Sequence, residues 1–374
     1  MTHPGEIIIR AAKISDLKNL IIFFRRAYGE QTVFQDKKFL LYYFTSPYKA
    51  LSFSYNIIAI DPNGIIVAHY GGLNYRLIIG KDIKSTTWGV NAFTLPDWRG
   101  KGINSKIVKY LIDKNEMNAA IGMDDNVTLF YKKLNYNIFN KKRLSRFVYA
   151  LKNEVYDLVF QLGQDQEKAK KIIPIKIPEK VIPKYSNIVE LTKTNIKNYE
   201  LDLDAEVYAT TYRDKTFLSW RLFNNPFIKY KVWGFVKHKK IVSYLVAREE
   251  TLQPTTFKVN RIVDLFGEKE GVQILLKNIL NLSYIKNYLY VDFSAFGNLY
   301  SEELTLLGFK RLENEDACLL PLVSSPIENR PNNEFVVIGS KNNQELINKL
   351  FEENIYFTRI DGDRDRINRL NQIN

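Results

Sequence analysis

Two hydrophobic periods alternate along the first part of the chain. Residues 86–94 (Thr-Thr-Trp-Gly-Val-Asn-Ala-Phe-Thr) are rich in β-branched and aromatic side chains and predict a strand, whereas Ile103, Ile107, Tyr110 and Leu111 recur at helical spacing. Upstream, residues 6–10 predict a first strand. Ser15 and Asp16 predict the cap of a helix through Tyr28 with Leu17, Leu20, Ile21 and Phe24 on one face. Residues 39–44 predict a second helix, stopped before Pro47. Residues 56–61 and 65–73, joined by Pro62-Asn63-Gly64, predict a hairpin, and 75–80 and 85–94 continue the sheet. Downstream come a short buried strand at 119–123, a helix opened by Asp124-Asp125-Asn126, and a strand at 146–151.

Residues 152–185 change character, with Pro174, Pro178 and Pro183 spaced too closely for a continuous helix, so this segment is expected to be a linker. The second half then repeats the first in outline. Strands are predicted at 232–235, 241–247, 260–266 and 289–293, helices at 268–282 and 301–307, the last closing in Leu307-Gly308-Phe309. The expected organisation is one domain over 1–151, a linker over 152–185 and a second domain over 186–374 with a C-terminal extension.

Composition narrows the function classes. A chain of 374 residues is longer than one core usually holds, and 45% hydrophobic residues supply material for two. No apolar run reaches the roughly 18 residues of a membrane span, so no membrane partner is expected. The single cysteine, Cys318, excludes an intrachain disulfide and is expected in the core; with no signal peptide at residues 1–6, a cytoplasmic location is expected. The net charge of +13 is spread along the chain without a nucleic-acid-binding signature, which suits small polyanionic substrates better than nucleic acid. His3, His69 and His238 lack metal-ligand spacing, and residues 361–365 (Asp-Gly-Asp-Arg-Asp) misplace the glycine of a calcium loop, so no metal is expected.

The candidate chemistry lies between the strand at 86–94 and the helix that follows. Arg99-Gly100-Lys101-Gly102 falls at a helix start, where backbone N–H groups lack intrahelical partners and the dipole is positive, a place suited to a phosphate. This arrangement resembles the acyl-CoA pyrophosphate loop of the GNAT (Gcn5-related N-acetyltransferase) superfamily. The later helix strengthens the resemblance, because Asn126, Phe130, Tyr131 and Leu134 match that family's motif, with Asn135-Tyr136 in place of its usual Gly-Phe.

The resemblance implies an α+β or α/β fold of two tandem GNAT-like domains, each a mixed, splayed sheet flanked by helices. It implies that Phe93, Thr94, Leu95, Arg99, Gly100, Lys101, Gly102, Ile103, Asn104, Asn126 and Phe130 hold acyl-CoA, and that Tyr131 assists thiol departure. His69 and Asp124 are the candidate bases, and a backbone N–H near Thr94 or Leu95 the carbonyl-polarising group. The second half places Glu268 and Glu270 where phosphates would sit, so it is expected to bind no CoA. Arg213, Trp220 and Arg221 are the candidates for holding an acceptor's pyrophosphate and base.

The two-half pattern is also similar to that of bacterial N-acyltransferases of dTDP-4-amino-4,6-dideoxy sugars, which implies acyl transfer to a nucleotide-linked amino sugar in surface-polysaccharide biosynthesis. A protein or antibiotic amine as acceptor, or a non-catalytic binding protein on the same fold, are the alternatives. The oligomeric state, monomer or homodimer, is left open.

Overall fold

The computed structural model describes residues 6–49, 52–123, 125–134, 136–138, 144–178, 187–324, 327–328, 335–350, 354–367 and 369. Its first half opens with β1 (Ile8–Ala11), which pairs antiparallel with β2 (Ile57–Ile60) across the helices α1 (Leu17–Tyr28) and α2 (Lys37–Tyr43). The helical spacing of Leu17, Leu20 and Phe24 buries one face of α1, as does Phe23. Asp36 caps α2 by accepting from the Phe39 N–H at 2.8 Å.

Next come β3 (Ile66–Ile79) and β4 (Asp82–Thr94), paired antiparallel over nearly their full length. The break expected near Asn74 does not occur. Asn74 is buried inside β3, and its Nδ2 donates to Ser85 Oγ, Thr86 O and Thr87 Oγ1 at 3.1–3.3 Å, so a polar residue that looks like a turn sits within a strand. After β4 come α3 (Ile103–Lys114), β5 (Met117–Met123), α4 (Asp125–Lys132), β6 (Asn137–Ile138) and β7 (Leu144–Ala150).

The expected linker is partly folded. It contains α5 (Glu154–Gln161) and α6 (Gln166–Ile172), whose Val155, Leu158, Val159 and Ala169 are fully buried in a cluster with Leu289 and Tyr290. The prolines fall beyond these helices, so they limit helix length without preventing packing. Residues 179–186 lie outside the described residues.

The second half comprises β8 (Ile188–Leu191), β9 (Glu200–Leu201), β10 (Ala209–Thr211) and α7 (Lys215–Leu218), which continues into a π-helical turn at Ser219–Phe223. It continues with β11 (Lys231–Lys237), β12 (Lys240–Thr251), β13 (Lys258–Gly267), α8 (Lys269–Ile285), β14 (Tyr290–Phe296), α9 (Ser301–Leu307) and β15 (Lys310–Leu312). The chain closes with β16 (Val323–Ser324), β17 (Ile327–Glu328), β18 (Phe335–Gly339), α10 (Gln344–Lys349) and β19 (Ile355–Thr358).

The two halves exchange strands. β7 leaves the first half to pair antiparallel with β14, while β18 returns from near the C-terminus to pair with β5 and β6. β19 pairs with both β10 and β14, and β10 pairs with β3, so among the described residues the halves share one 17-stranded sheet. Cys318 lies in a 3-10 turn at Asn314–Leu319 and is only partly buried, because its neighbours Ala317, Leu319 and Leu320 take the interior positions.

Candidate functional site

The site is built where β4 parts from β5. The two strands run parallel from Thr86↔Met117 to Gly89↔Ala120 and pair no further, although β4 continues to Thr94. At this point β4 also bulges. Asn91 takes φ 51°, so that Asn91 and Ala92 together oppose Tyr70, which bends the strand. Beyond the bulge the Leu95 N–H donates to Val67 O at 2.9 Å. Alternation along the ladder therefore turns the N–H of Thr94 away from β3, toward the gap. The expected use of the Leu95 N–H is thus corrected, since that donor is already spent on the sheet.

At the end of β4 the chain makes a 3-10 turn at Pro96–Trp98 and enters α3. Gly100 and Gly102 have φ of 76° and 68°, and a Cβ at either would meet nothing within 4 Å, so the left-handed backbone is open to a ligand. Gly102 caps α3 with no side chain on the amides of the first turn. Arg99 is exposed, its Nε donating to Thr94 O at 3.1 Å and its guanidinium 5.4 Å from the Phe93 ring centroid. Lys101 is also exposed, with Nζ 4.4 Å from the Trp98 ring centroid. Asn104 is half-buried, and Ile103 packs into the core under α3.

Tyr131, on α4, meets Tyr70 of β3 at 2.5 Å between the phenol oxygens. Burial pushes the Tyr131 phenol up to about 12, partly opposed by the hydrogen bond from Tyr70, and burial raises Tyr70 further still. Both phenols therefore stay protonated near neutral pH. Gly89 makes the pair possible, because a Cβ there would lie 2.0 Å from Tyr70 Oη. Tyr70, Gly89 and Asn91 were not among the expected site residues; the signal for Gly89 was a glycine between Trp88 and Val90 in mid-strand. Phe130 is half-buried with its ring 5.3 Å from that of Tyr131. Asp124 and the side chain of Asn126 lie outside the described residues.

His69 is on the other face. It is 1% exposed among Phe23, Phe24 and Phe44, its Nδ1 lies 3.4 Å from Asn91 O, and its Nε2 has no partner. Burial lowers its pKa to about 4. As placed, it cannot reach the gap near Tyr131, which corrects the expectation of a base there. Phe93 shares that face, 5.3 Å from the Tyr28 ring, and so lines the α1 side of β4.

Arg213, Trp220 and Arg221 do not form an acceptor clamp. Arg213 is 4% exposed and gives both Nε and Nη2 to Asp264 at 3.0 Å. Burial disfavours its charge, but Asp264, Tyr244 and Asp361 outweigh that and raise its pKa. Arg221 is 2% exposed and donates to Ile360 O and Gly362 O at 2.9 Å, while Trp220 Nε1 donates to Tyr42 O at 3.0 Å. All three are committed to contacts inside the protein: the two guanidinium groups within the second half, and Trp220 to Tyr42 of the first. In the second half, Lys237 holds Glu268 and Glu270 at 2.7 and 2.8 Å beside the start of α8, so carboxylates occupy the counterpart of the glycine loop.

Among the described residues no group of three or more His, Cys, Asp or Glu is placed to hold a metal, and no helix is long and apolar enough to cross a membrane.

No protein-family model and no curated protein sequence matches the chain. Solved structures do resemble it in fold. A probable N-acyltransferase from Enterococcus faecalis V583 aligns over 89% of this chain and 72% of its own, with a TM-score of 0.58 and 10% identity. A GCN5-related N-acetyltransferase from Anabaena variabilis covers the same shares, with a TM-score of 0.54 and 9% identity. The Saccharomyces cerevisiae N-myristoyltransferase, solved with bound myristoyl-CoA, aligns over 90% and 79% with a TM-score of 0.50 and 9% identity. The fold is thus a GNAT-like one, mixed α/β with a large mixed sheet.

Proposed function

We propose that the protein is an acyl-CoA-dependent N-acyltransferase. The observation that carries this reading is the alignment of an open, uncapped helix start at Gly102 with the unpaired edge of β4 and the Tyr70–Tyr131 pair at its far end. From Gly89 to Thr94 is about 16 Å at roughly 3.3 Å per residue, a length that suits an extended pantetheine arm. Its pyrophosphate would lie on the α3 amides, with Arg99 and Lys101 beside it. Ile103 supports this loop from below.

In the proposed reaction the neutral amine attacks the thioester carbonyl carbon, the N–C bond forms and the C–S bond breaks. A backbone N–H of β4 turned toward the gap would donate to the carbonyl oxygen as charge develops. Tyr131 Oη would give its proton to the departing sulfur and recover one through Tyr70, while the amine proton passes to water. Neither phenol starts as an anion, which suits a proton donor.

For the acceptor we propose a nucleotide-linked amino sugar, supported by the likeness of the two-half organisation to enzymes of that class and by the net charge of +13. Arg213, Trp220 and Arg221, buried on partners of their own, take no part in holding it. Thiol release from acetyl-CoA, followed with nucleotide-linked amino sugars, peptides and aminoglycosides in parallel, tests it. Release stimulated only by the amino sugars is expected; stimulation only by the other amines would replace the acceptor, and none at all would overturn the enzyme.

A further inference from the structure

The turn that follows β19 reaches the place where β4 and β5 part. Asp361 closes it by accepting from the Thr358 N–H at 2.7 Å. The Gly362 N–H donates to Tyr75 Oη of β3 at 2.8 Å, and Arg221 holds the carbonyls of Ile360 and Gly362 at 2.9 Å. Gly362 lies against Trp88 of β4 and Ile121 of β5, so close that a Cβ on it would clash with Ile121. Ile121 directly follows Ala120, the last residue of β5 paired with β4. Trp88 and Gly89 are neighbours on one strand and point to opposite faces, so the turn flanks the gap on the face away from Tyr70 and Tyr131.

Four residues beyond Gly362 the same segment meets the bulge. Arg366 Nη2 donates to Asn91 Oδ1 at 3.1 Å. The Arg366 guanidinium lies 5.0 Å from the Phe34 ring centroid, and Asp363 Oδ2 stands 3.6 Å from its Nε. Asn91 is the residue that needs such a hold. The register steps from Gly71↔Val90 to His69↔Phe93 and leaves Asn91 outside the ladder, with φ 51° in mid-strand. A left-handed residue there persists only where its surroundings fix it, and asparagine is the side chain that best tolerates it after glycine.

We propose that Arg366 is a positioning residue for acyl transfer, one that fixes the β4 bulge from the second half by holding Asn91 Oδ1. The inference rests on the acyltransferase reading above. The turn is tied to β3 through Tyr75 and to the second half through Arg221, so the guanidinium acts from a fixed base. Holding Asn91 fixes the course of β4 beyond the bulge, and with it the Thr94 N–H turned toward the gap. Displacement of a positioned group by about 1 Å can lower a rate on the order of a hundred-fold. The Arg366 and Asp363 side chains are 19% and 25% exposed, so removing Arg366 strands no core charge.

Hydrogen exchange and steady-state kinetics on the full chain test this together. In Arg366→Ala, amide exchange over residues 88–95 should quicken on the order of ten-fold, as loss of a hydrogen bond from a charged donor implies, with α8 unchanged. The kcat should fall on the order of ten- to a hundred-fold while the KM for acyl-CoA stays within about twofold, since the α3 loop is untouched. Asn91→Gly keeps the left-handed backbone and removes Oδ1; it should match that kcat loss, and the double variant should lose little more. Arg366→Lys should restore part of it. Unchanged exchange in Arg366→Ala, unchanged kcat in an active enzyme, or additive losses in the double variant would overturn the proposal. A wild-type chain without turnover, with exchange still quickened in Arg366→Ala, would overturn the acyltransferase reading and leave the hold of Arg366 on the bulge standing.

Discussion

Tyr70 and Tyr131 face each other phenol to phenol at 2.5 Å, tying β3 to α4 beside the point where β4 and β5 separate. If Tyr131 protonates the leaving sulfur, Tyr131→Phe should lower kcat by roughly ten- to ten-thousand-fold with little change in the KM for acyl-CoA. Steady-state kinetics check this. An unchanged kcat would leave Tyr131 as a packing residue.

Gly89→Ala should disrupt the same pair without touching either phenol. Its Cβ would lie 2.0 Å from Tyr70 Oη, so Tyr70 must swing away from Tyr131. The expected outcome is a kcat loss approaching that of Tyr131→Phe, and a double variant Gly89→Ala/Tyr131→Phe little worse than Tyr131→Phe alone. Additive losses would show that the two residues act separately.

Arg213→Ala should now act on stability. Removing one partner of a buried ion pair leaves Asp264 uncompensated, at a cost of about 3–5 kcal/mol. Urea denaturation checks the prediction, which fails if the midpoint stays within the range of a surface substitution.

The contrast between Arg99 and Arg213 shows what the sequence makes legible. Local periodicity and glycine placement suffice to locate β4, the loop and α3, because those elements are stabilised by neighbours in the chain. Arg213 and Arg221 read as ligand-binding residues because their partners, Asp264, Ile360 and Gly362, are distant in sequence. Asp264 within Val263-Asp264-Leu265 and Asp292 within Val291-Asp292-Phe293 were the available signals, since a carboxylate inside an apolar strand needs a cation. The exchange of β7 and β18 between halves has no local signal, because an apolar strand of that length pairs equally well with either sheet.

His69 predicts an acid sensitivity. Its folded pKa of about 4 lies below the ordinary 6.5, so between these values the unfolded chain takes up a proton that the folded chain does not. Its contribution is fully present above pH 6.5 and lost as pH falls toward 4, by about 3 kcal/mol at about 1.4 kcal/mol per unit. His69→Phe should flatten that part of the stability profile in urea titrations. An identical slope in the variant would mean that other groups set it.

The central claim is that acyl-CoA binds once per chain, on the α3 loop. Calorimetric titration with acetyl-CoA tests it most directly. One equivalent per chain is predicted, with affinity weakened on the order of ten- to a hundred-fold by Arg99→Ala, as loss of a charged hydrogen bond of about 1.5–3 kcal/mol implies, and unchanged by Glu268→Ala. Two equivalents, no binding, or an affinity indifferent to Arg99 would contradict it.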